Sequence, residues 1–440
     1  MKNLFLLIVS LFCVTLITSC KKSDTPAAPP GVPSISGFSP GIIGTGYQLT
    51  INGSNFSPTV VDNVVTINGT PSQVVSASPT QLKVTVSGTS GSGKIGVTVG
   101  GKTATSADNI KVISLYVTTL AGDGTAGSTD GPGPSADFNG IWGVVCDGNG
   151  NLYIADTYSN KIRKISTDGT VSTFAGTGAQ GNNDGAGSSA TFSLPFGIAI
   201  DKDGNLYVSD FGTNNIRKIT PAGIVSTLAG SIYGTTGSRD GTGIAATFNH
   251  PVGMATDGNN NIYVADAGNN KIRKITPGGT VTTLAGSGAS GAADATGVLA
   301  SFNQPLSIVT DANANLYVSE EGNYKIRKIT PAGDVTTFAG SGISGSADGT
   351  ANTASFNFPV GMIIDPAGDL IVTDNFNGTI RLISQAGITA TLAGNGNKAS
   401  IDGIGYGACL DNPLGITMDK NGVMYVLDNA SNKVRRIILQ

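Results

Sequence analysis

The sequence predicts an all-β chain, a small β-sandwich followed by a six-bladed β-propeller, and three observations predict it. First, the stretch at 151–165 returns five times, and its arginine marks each copy: Arg163, Arg217, Arg273, Arg327, Arg381 and Arg435. Self-similarity at a fixed period of this size signals a solenoid, propeller or array. Second, each unit carries four short runs of alternating large and small residues separated by turn chemistry, and no segment shows helical periodicity over ten or more residues. Four short strands repeated radially make propeller blades. Third, the fourth-strand sequence of each unit (171–176, 225–230, 281–286, 335–340, 389–394) has one spare copy at 117–122, ahead of the first unit. The last unit stops after its third strand. Pairing 117–121 with 433–438 completes all six blades and leaves no blade short of a strand.

Taken in order, residues 1–19 read as an export signal: Lys2, then an apolar run over 4–17 that is too short to span a membrane as a mature helix. The run ends in Leu16-Ile-Thr-Ser-Cys20, which resembles the bacterial lipobox. That resemblance implies a lipoprotein with Cys20 as its lipidated first residue, and 20–32 as a flexible tether. It implies a cell-envelope protein, lipid-anchored to the outer membrane with surface display left open. Composition agrees with tight turns rather than disorder, with 63 glycines and 12% charged residues among recurrent β-branched strands. A formal charge of −3 without any basic stripe gives no argument for nucleic acid. A monomer is expected.

Residues 33–113 carry several strands with turn signals between them, at 64–67, 73–76, 82–86, 95–99 and 110–112, which argues for the sandwich. Phe38-Ser-Pro40, Gly53-Ser-Asn-Phe56 and the stretch Val74 to Leu82 appear in order. This pattern resembles the IPT/TIG immunoglobulin-like domain, and the resemblance implies a spacer or interaction module without catalysis.

In the ring at 115–440, Pro195-Phe-Gly-Ile, Asp201-Lys-Asp-Gly-Asn-Leu-Tyr-Val and Asn215-Ile-Arg-Lys-Ile resemble the NHL repeat of six-bladed propellers. The resemblance implies the fold; such rings include peptide, protein and RNA binders, and related rings include lactonases and lyases. Asp156, Asp210, Asp266, Glu320, Asp374 and Asp428 each precede their arginine by seven residues. In adjacent antiparallel strands that spacing lets the two face each other, so a structural ion pair per blade is expected, with Asn160, Asn214 or Asn270 capping the loop. A second series, Asp130, Asp184, Asp240, Asp294, Asp348 and Asp402, reads as turn-capping rather than a ring of cation sites. Phe138, Phe192, Phe248, Phe302, Phe356 and Leu410 read as plugs between blades. Cys146 and Cys409, neighbours in a closed ring, read as two buried, unpaired thiols, although a bond is geometrically conceivable.

Groups repeated in every blade mark architecture, so function belongs where copies differ. The loop-rich face should carry Trp142, Phe196, Val252, Leu306, Val360 and Leu414 around the channel mouth, preceded by Gly140, Leu194, His250, Gln304, Phe358 and Asn412. Trp142 is the lone tryptophan, His250 the lone histidine, and Glu320 and Glu321 the two glutamates. Tyr158, Phe211, Tyr324 and Phe376 decorate the same loops, with Tyr233 in a two-residue insertion. An aromatic mouth with amides and a few acids suits binding of a glycan or protein by stacking and hydrogen bonds. Catalysis has weaker support: one histidine makes no zinc cluster and no Gly-x-Ser-x-Gly elbow occurs. A metal-dependent lactonase- or lyase-like ring, for which Glu320 is the candidate, and a structural or adhesive envelope component are the alternatives. No catalytic residue, metal ligand or cofactor is assigned; a structural or channel-bound divalent cation is left open.

Overall fold

The computed structural model describes residues 31–439. The export signal, Cys20 and nearly all of the tether lie outside the described residues.

The first folded part has nine strands: β1 Ser34–Ser39, β2 Ile42–Gly44, β3 Gln48–Ser54, β4 Asn63–Ile67, β5 Thr70–Ser78, β6 Gln81–Thr85, β7 Ile95–Val99, β8 Lys102–Thr105 and β9 Lys111–Ile113. Seven of them form one sheet in the order β1-β3-β6-β5-β4-β7-β8. Because β5 pairs with β6 over one part of its length and with β4 over another, the sheet folds over on itself. Alternate residues of each strand then point inward. Leu49, Ile51, Val65, Ile67, Leu82, Val84, Ile95 and Val97 form the core between the two halves.

The ring follows at once with β10, Leu115–Ala121. It pairs antiparallel with the last strand, Lys433–Leu439, from Leu115 opposite Leu439 to Ala121 opposite Val434. The expected clasp is therefore present, with a bulge near Leu120. The sixth blade is built from both ends of the ring. Every blade has the same meander; the second runs Pro195–Ile200, Leu206–Asp210, Asn215–Ile219 and Ile224–Gly230 from the axis outward. The sequence showed four strands per blade, yet five of the six blades have a fifth. A two-residue strand such as Gly185–Ala186 pairs outside the fourth strand. It is too short for a periodic signature, which is why pattern reading missed it. Blade five, Pro359–Ile364 to Thr389–Ala393, lacks it and has only a single bridge between Gly349 and Thr389.

That blade differs because the sandwich domain docks on it. Elsewhere the second, third and fourth strands carry Tyr153, Lys164 and Ser172, or equivalents, on one face. Blade five has Ile371, Leu382 and Ala390, all buried. Ile113 and Ile42 of the first domain pack into the same cluster as Ile371, Leu382 and Leu392. The Tyr47 hydroxyl donates to the Gly394 carbonyl, and the Tyr47 ring meets Tyr406 edge-on at 5.3 Å. Lys111 reaches Asp369 at 3.6 Å. Apolar substitution at three positions of one blade is thus the imprint of a neighbour.

Candidate functional site

The site is built outward from the six arginines, each fully buried. Arg163 donates to Asp156 at 2.8 Å, and the other five pairs span 2.6 to 3.4 Å. The expected pairs are therefore present, and each arginine makes more. Its second terminal nitrogen reaches Asp130, Asp184, Asp240, Asp294, Asp348 or Asp402 at 2.6 to 2.8 Å. This corrects the reading of that series as turn-capping: these acids clamp the guanidinium from the surface and also accept the fourth-strand amide, as Asp130 does from Thr173 at 2.9 Å. Phe138 lies under Arg163 with 5.3 Å between guanidinium carbon and ring centre, and the phenylalanines of blades two to five do the same. The plugs thus also stack.

Burial pushes the inner carboxyls up, against the pull of arginine and amide; Asp210, with the longest arginine contact at 3.4 Å, reaches about 7. At Asp130, Asp240 and Asp402 burial also raises, but the outer-strand amide and the guanidinium outweigh it and hold the carboxyl below the usual range.

The other oxygen of each inner acid fixes the loop that approaches the axis. Asp156 accepts from the Asn139 amide at 2.8 Å, Asp266 from Asn249 at 2.8 Å and Glu320 from Asn303 at 2.8 Å. The following residue then turns into left-handed backbone in all six blades: Gly140, Leu194, His250, Gln304, Phe358 and Asn412 have φ between 52° and 66°. Four of these amides are held by the asparagine of the preceding blade, as Leu194 by Asn160 and His250 by Asn214. The asparagines expected to cap their own loops therefore bridge blades. Glu320 is fully committed here, to Arg327, Asn303 and Asn323. Among the described residues no group of three or more His, Cys, Asp or Glu gathers as for a metal ion.

Next come the positions just after each inner acid. In blades one, five and six, Thr157, Asn375 and Asn429 donate to the inner-strand carbonyls of Pro195, Pro413 and Ile141 in the next blade, at 2.7, 3.2 and 2.8 Å. In blades two, three and four the position is Phe211, Ala267 and Glu321, none of which makes that brace. A cavity of about 330 Å³ lies there, lined by Trp142, Phe196, Phe211, His250, Gln304, Glu321 and small neighbours. Trp142, Phe196, Phe211 and His250 follow one another with ring centres 4.5, 4.4 and 4.4 Å apart, forming a continuous wall. Beneath it, Val252, Leu306, Val360 and Leu414 close an apolar collar with Trp142 and Phe196. A second cavity of about 350 Å³ runs on along the axis.

Eight of the expected mouth residues therefore meet in one cavity, Val252 and Leu306 among them. The others do not reach it. Phe358 and Phe376 stack on each other at 4.8 Å over blade five. Asn412 accepts from Lys398 Nζ at 2.8 Å. Tyr158 lies over Gly140, Tyr324 takes the left-handed place that asparagine holds in four other blades, and Tyr233 is 88% exposed on its loop. Lys398 was missed; it is the one base four residues ahead of the outer acids, a singular position that a search among aromatics passed over. Cys146 and Cys409 are free, and only Cys409 is buried; half-burial and the nearby Asp419 push the Cys146 thiol up to about 11.

Comparison with known proteins agrees with this architecture. The IPT/TIG domain family matches residues 33–112 and the NHL repeat family residues 248–275. Protein SUPPRESSOR OF QUENCHING 1, chloroplastic, of Arabidopsis thaliana is 30% identical over 235 residues, which is 50% of this chain and only 22% of that protein. A structural genomics protein of unknown function from Bacteroides thetaiotaomicron superposes with a TM-score of 0.60 at 22% identity, over 94% of this chain and 99% of that one. An auxiliary nutrient binding protein from Bacteroides ovatus gives 0.57 at 20% identity, over 94% and 100%. Residues 33–112 thus match the IPT/TIG domain, and the ring behind them is a six-bladed propeller in which residues 248–275 match the NHL repeat.

Proposed function

We propose that the chain is a non-catalytic, lipid-anchored binding protein of the bacterial cell envelope, engaging a glycan or protein through the propeller mouth. One observation carries the reading. Three consecutive blades give up the brace that the other three keep, and the space so opened is walled by aromatic rings and edged by an amide and an acid. An apolar wall with a few polar groups is what a ligand pocket needs. The fold shared with an auxiliary nutrient binding protein supports a role in capture. The lipobox at Cys20 supports the anchor.

A glycan array probed with the parent and with Trp142→Ala tests the site. The variant is expected to lose ligands that the parent retains; equal retention would mean that the mouth is not where they bind. Incorporation of labelled fatty acid by the parent but not by Cys20→Ser tests the anchor.

A further inference from the structure

Among the described residues Glu321 is the one carboxylate lining the mouth cavity, and no lysine or arginine lines it. Its amide donates to Gln304, but no described group donates to its side chain. Half-buried, the carboxyl is pushed up by burial with no compensating charge. The mouth's own base, Lys398, is engaged by Asn412 and by the Asn375 carbonyl over blades five and six. A ligand entering the cavity strips further water from Glu321. A neutral ligand offsets that loss with hydrogen bonds alone, whereas an ammonium meets the carboxylate with opposite charge. The rings of Trp142, Phe196 and Phe211 line the same cavity as the acid, and His250 and Gln304 line it as exposed residues. That arrangement fits a flat ring with an apolar face and polar edges better than a thin alkyl chain.

Building on the binding reading above, we propose that this cavity takes an amino sugar, its ring against the aromatic wall and its ammonium on Glu321. Nothing else in the ring asks for glutamate at this position, since it makes none of the bonds that Thr157, Asn375 and Asn429 make.

Calorimetric titration of the full chain with a tetramer of glucosamine, and with its N-acetylated counterpart, separates charge from shape. The charged tetramer is expected to bind about tenfold tighter or more. Glu321→Gln should remove that preference by weakening the charged tetramer alone, with the melting temperature unchanged because Glu321 braces nothing. Equal binding of both tetramers by the parent, a preference that survives Glu321→Gln, or binding of neither overturns the proposal. So does a Glu321-dependent preference for tetralysine over the charged tetramer, which would make the ligand a peptide. If both tetramers bind equally and both are lost in Trp142→Ala, this inference falls while the binding site stands.

Discussion

Each arginine is answered by two carboxylates of unlike exposure, one sealed and one at the surface. Arg273 has Asp266 at 2.7 Å and Asp240 at 2.6 Å, with 0% and 48% of the acid side chains exposed. Replacing Arg273 with methionine leaves Asp266 as a sealed, uncompensated charge, so urea denaturation should show a loss of roughly 3–5 kcal/mol. A loss below about 1 kcal/mol would mean that the acid relaxes to water. The surface acids set a pH limb. Asp130, Asp240 and Asp402 have folded values below the unfolded value of about 3.9, so their contribution is complete above that value and is lost as pH falls through the folded one. Melting temperature should therefore drop on acidification below about pH 4, and the drop should be shallower in the triple Asp→Asn variant. The inner pair was legible because a spacing of seven puts acid and arginine on one face of adjacent strands, although they meet diagonally, Asp156 standing opposite Lys161 and Arg163 opposite Ile154. The outer acid was not, because it arrives from the preceding loop, and sequence distance says nothing about which side of a strand that loop lands on.

At the scale of the strand, the inner edge of each blade sets how closely the next can approach. Gly143, Gly197, Gly253, Gly361 and Gly415 occupy one position, and a Cβ there would run into the next blade's backbone, that of Leu306 in the case of Gly253. Gly253→Ala is expected to cost about 1–3 kcal/mol by overpacking. Blade four carries Ser307 at the same place, so Ser307→Ala should cost far less. Chemical denaturation of the two variants checks the contrast; equal losses would show that the spacing is set elsewhere. Strand count, order and clasp could be read from alternation and the spare fourth strand. The two-residue fifth strands and the left-handed turns at Leu194 and His250 could not. Those turns are backbone requirements that glycine meets in blade one, and a list of side chains at one position conceals them.

For the molecule as a whole, the two domains share a core rather than a tether. Leu382→Lys restores the residue that blades one to four carry, but places an unpaired charge against the IPT/TIG domain. Calorimetry is expected to show the parent unfolding in one transition and the variant in two, with a new protease-sensitive site near Ser114. A single unchanged transition would show that the contact between domains contributes little. The sequence held this interface in plain view, as Ile371, Leu382 and Ala390 in a blade that should have had tyrosine, lysine and a hydroxyl. Without a partner to assign, however, three apolar residues look like ordinary variation. The clasp has its own consequence for synthesis. β10 leaves the ribosome early, yet its mate, Lys433–Leu439, emerges some three hundred residues later. Until then the nascent ring is an unclosed arc with a sticky ribbon at its leading end, and contacts of such long range form slowly. The IPT/TIG domain, already folded at that ribbon's root, travels with it and can settle on blade five only as that blade appears.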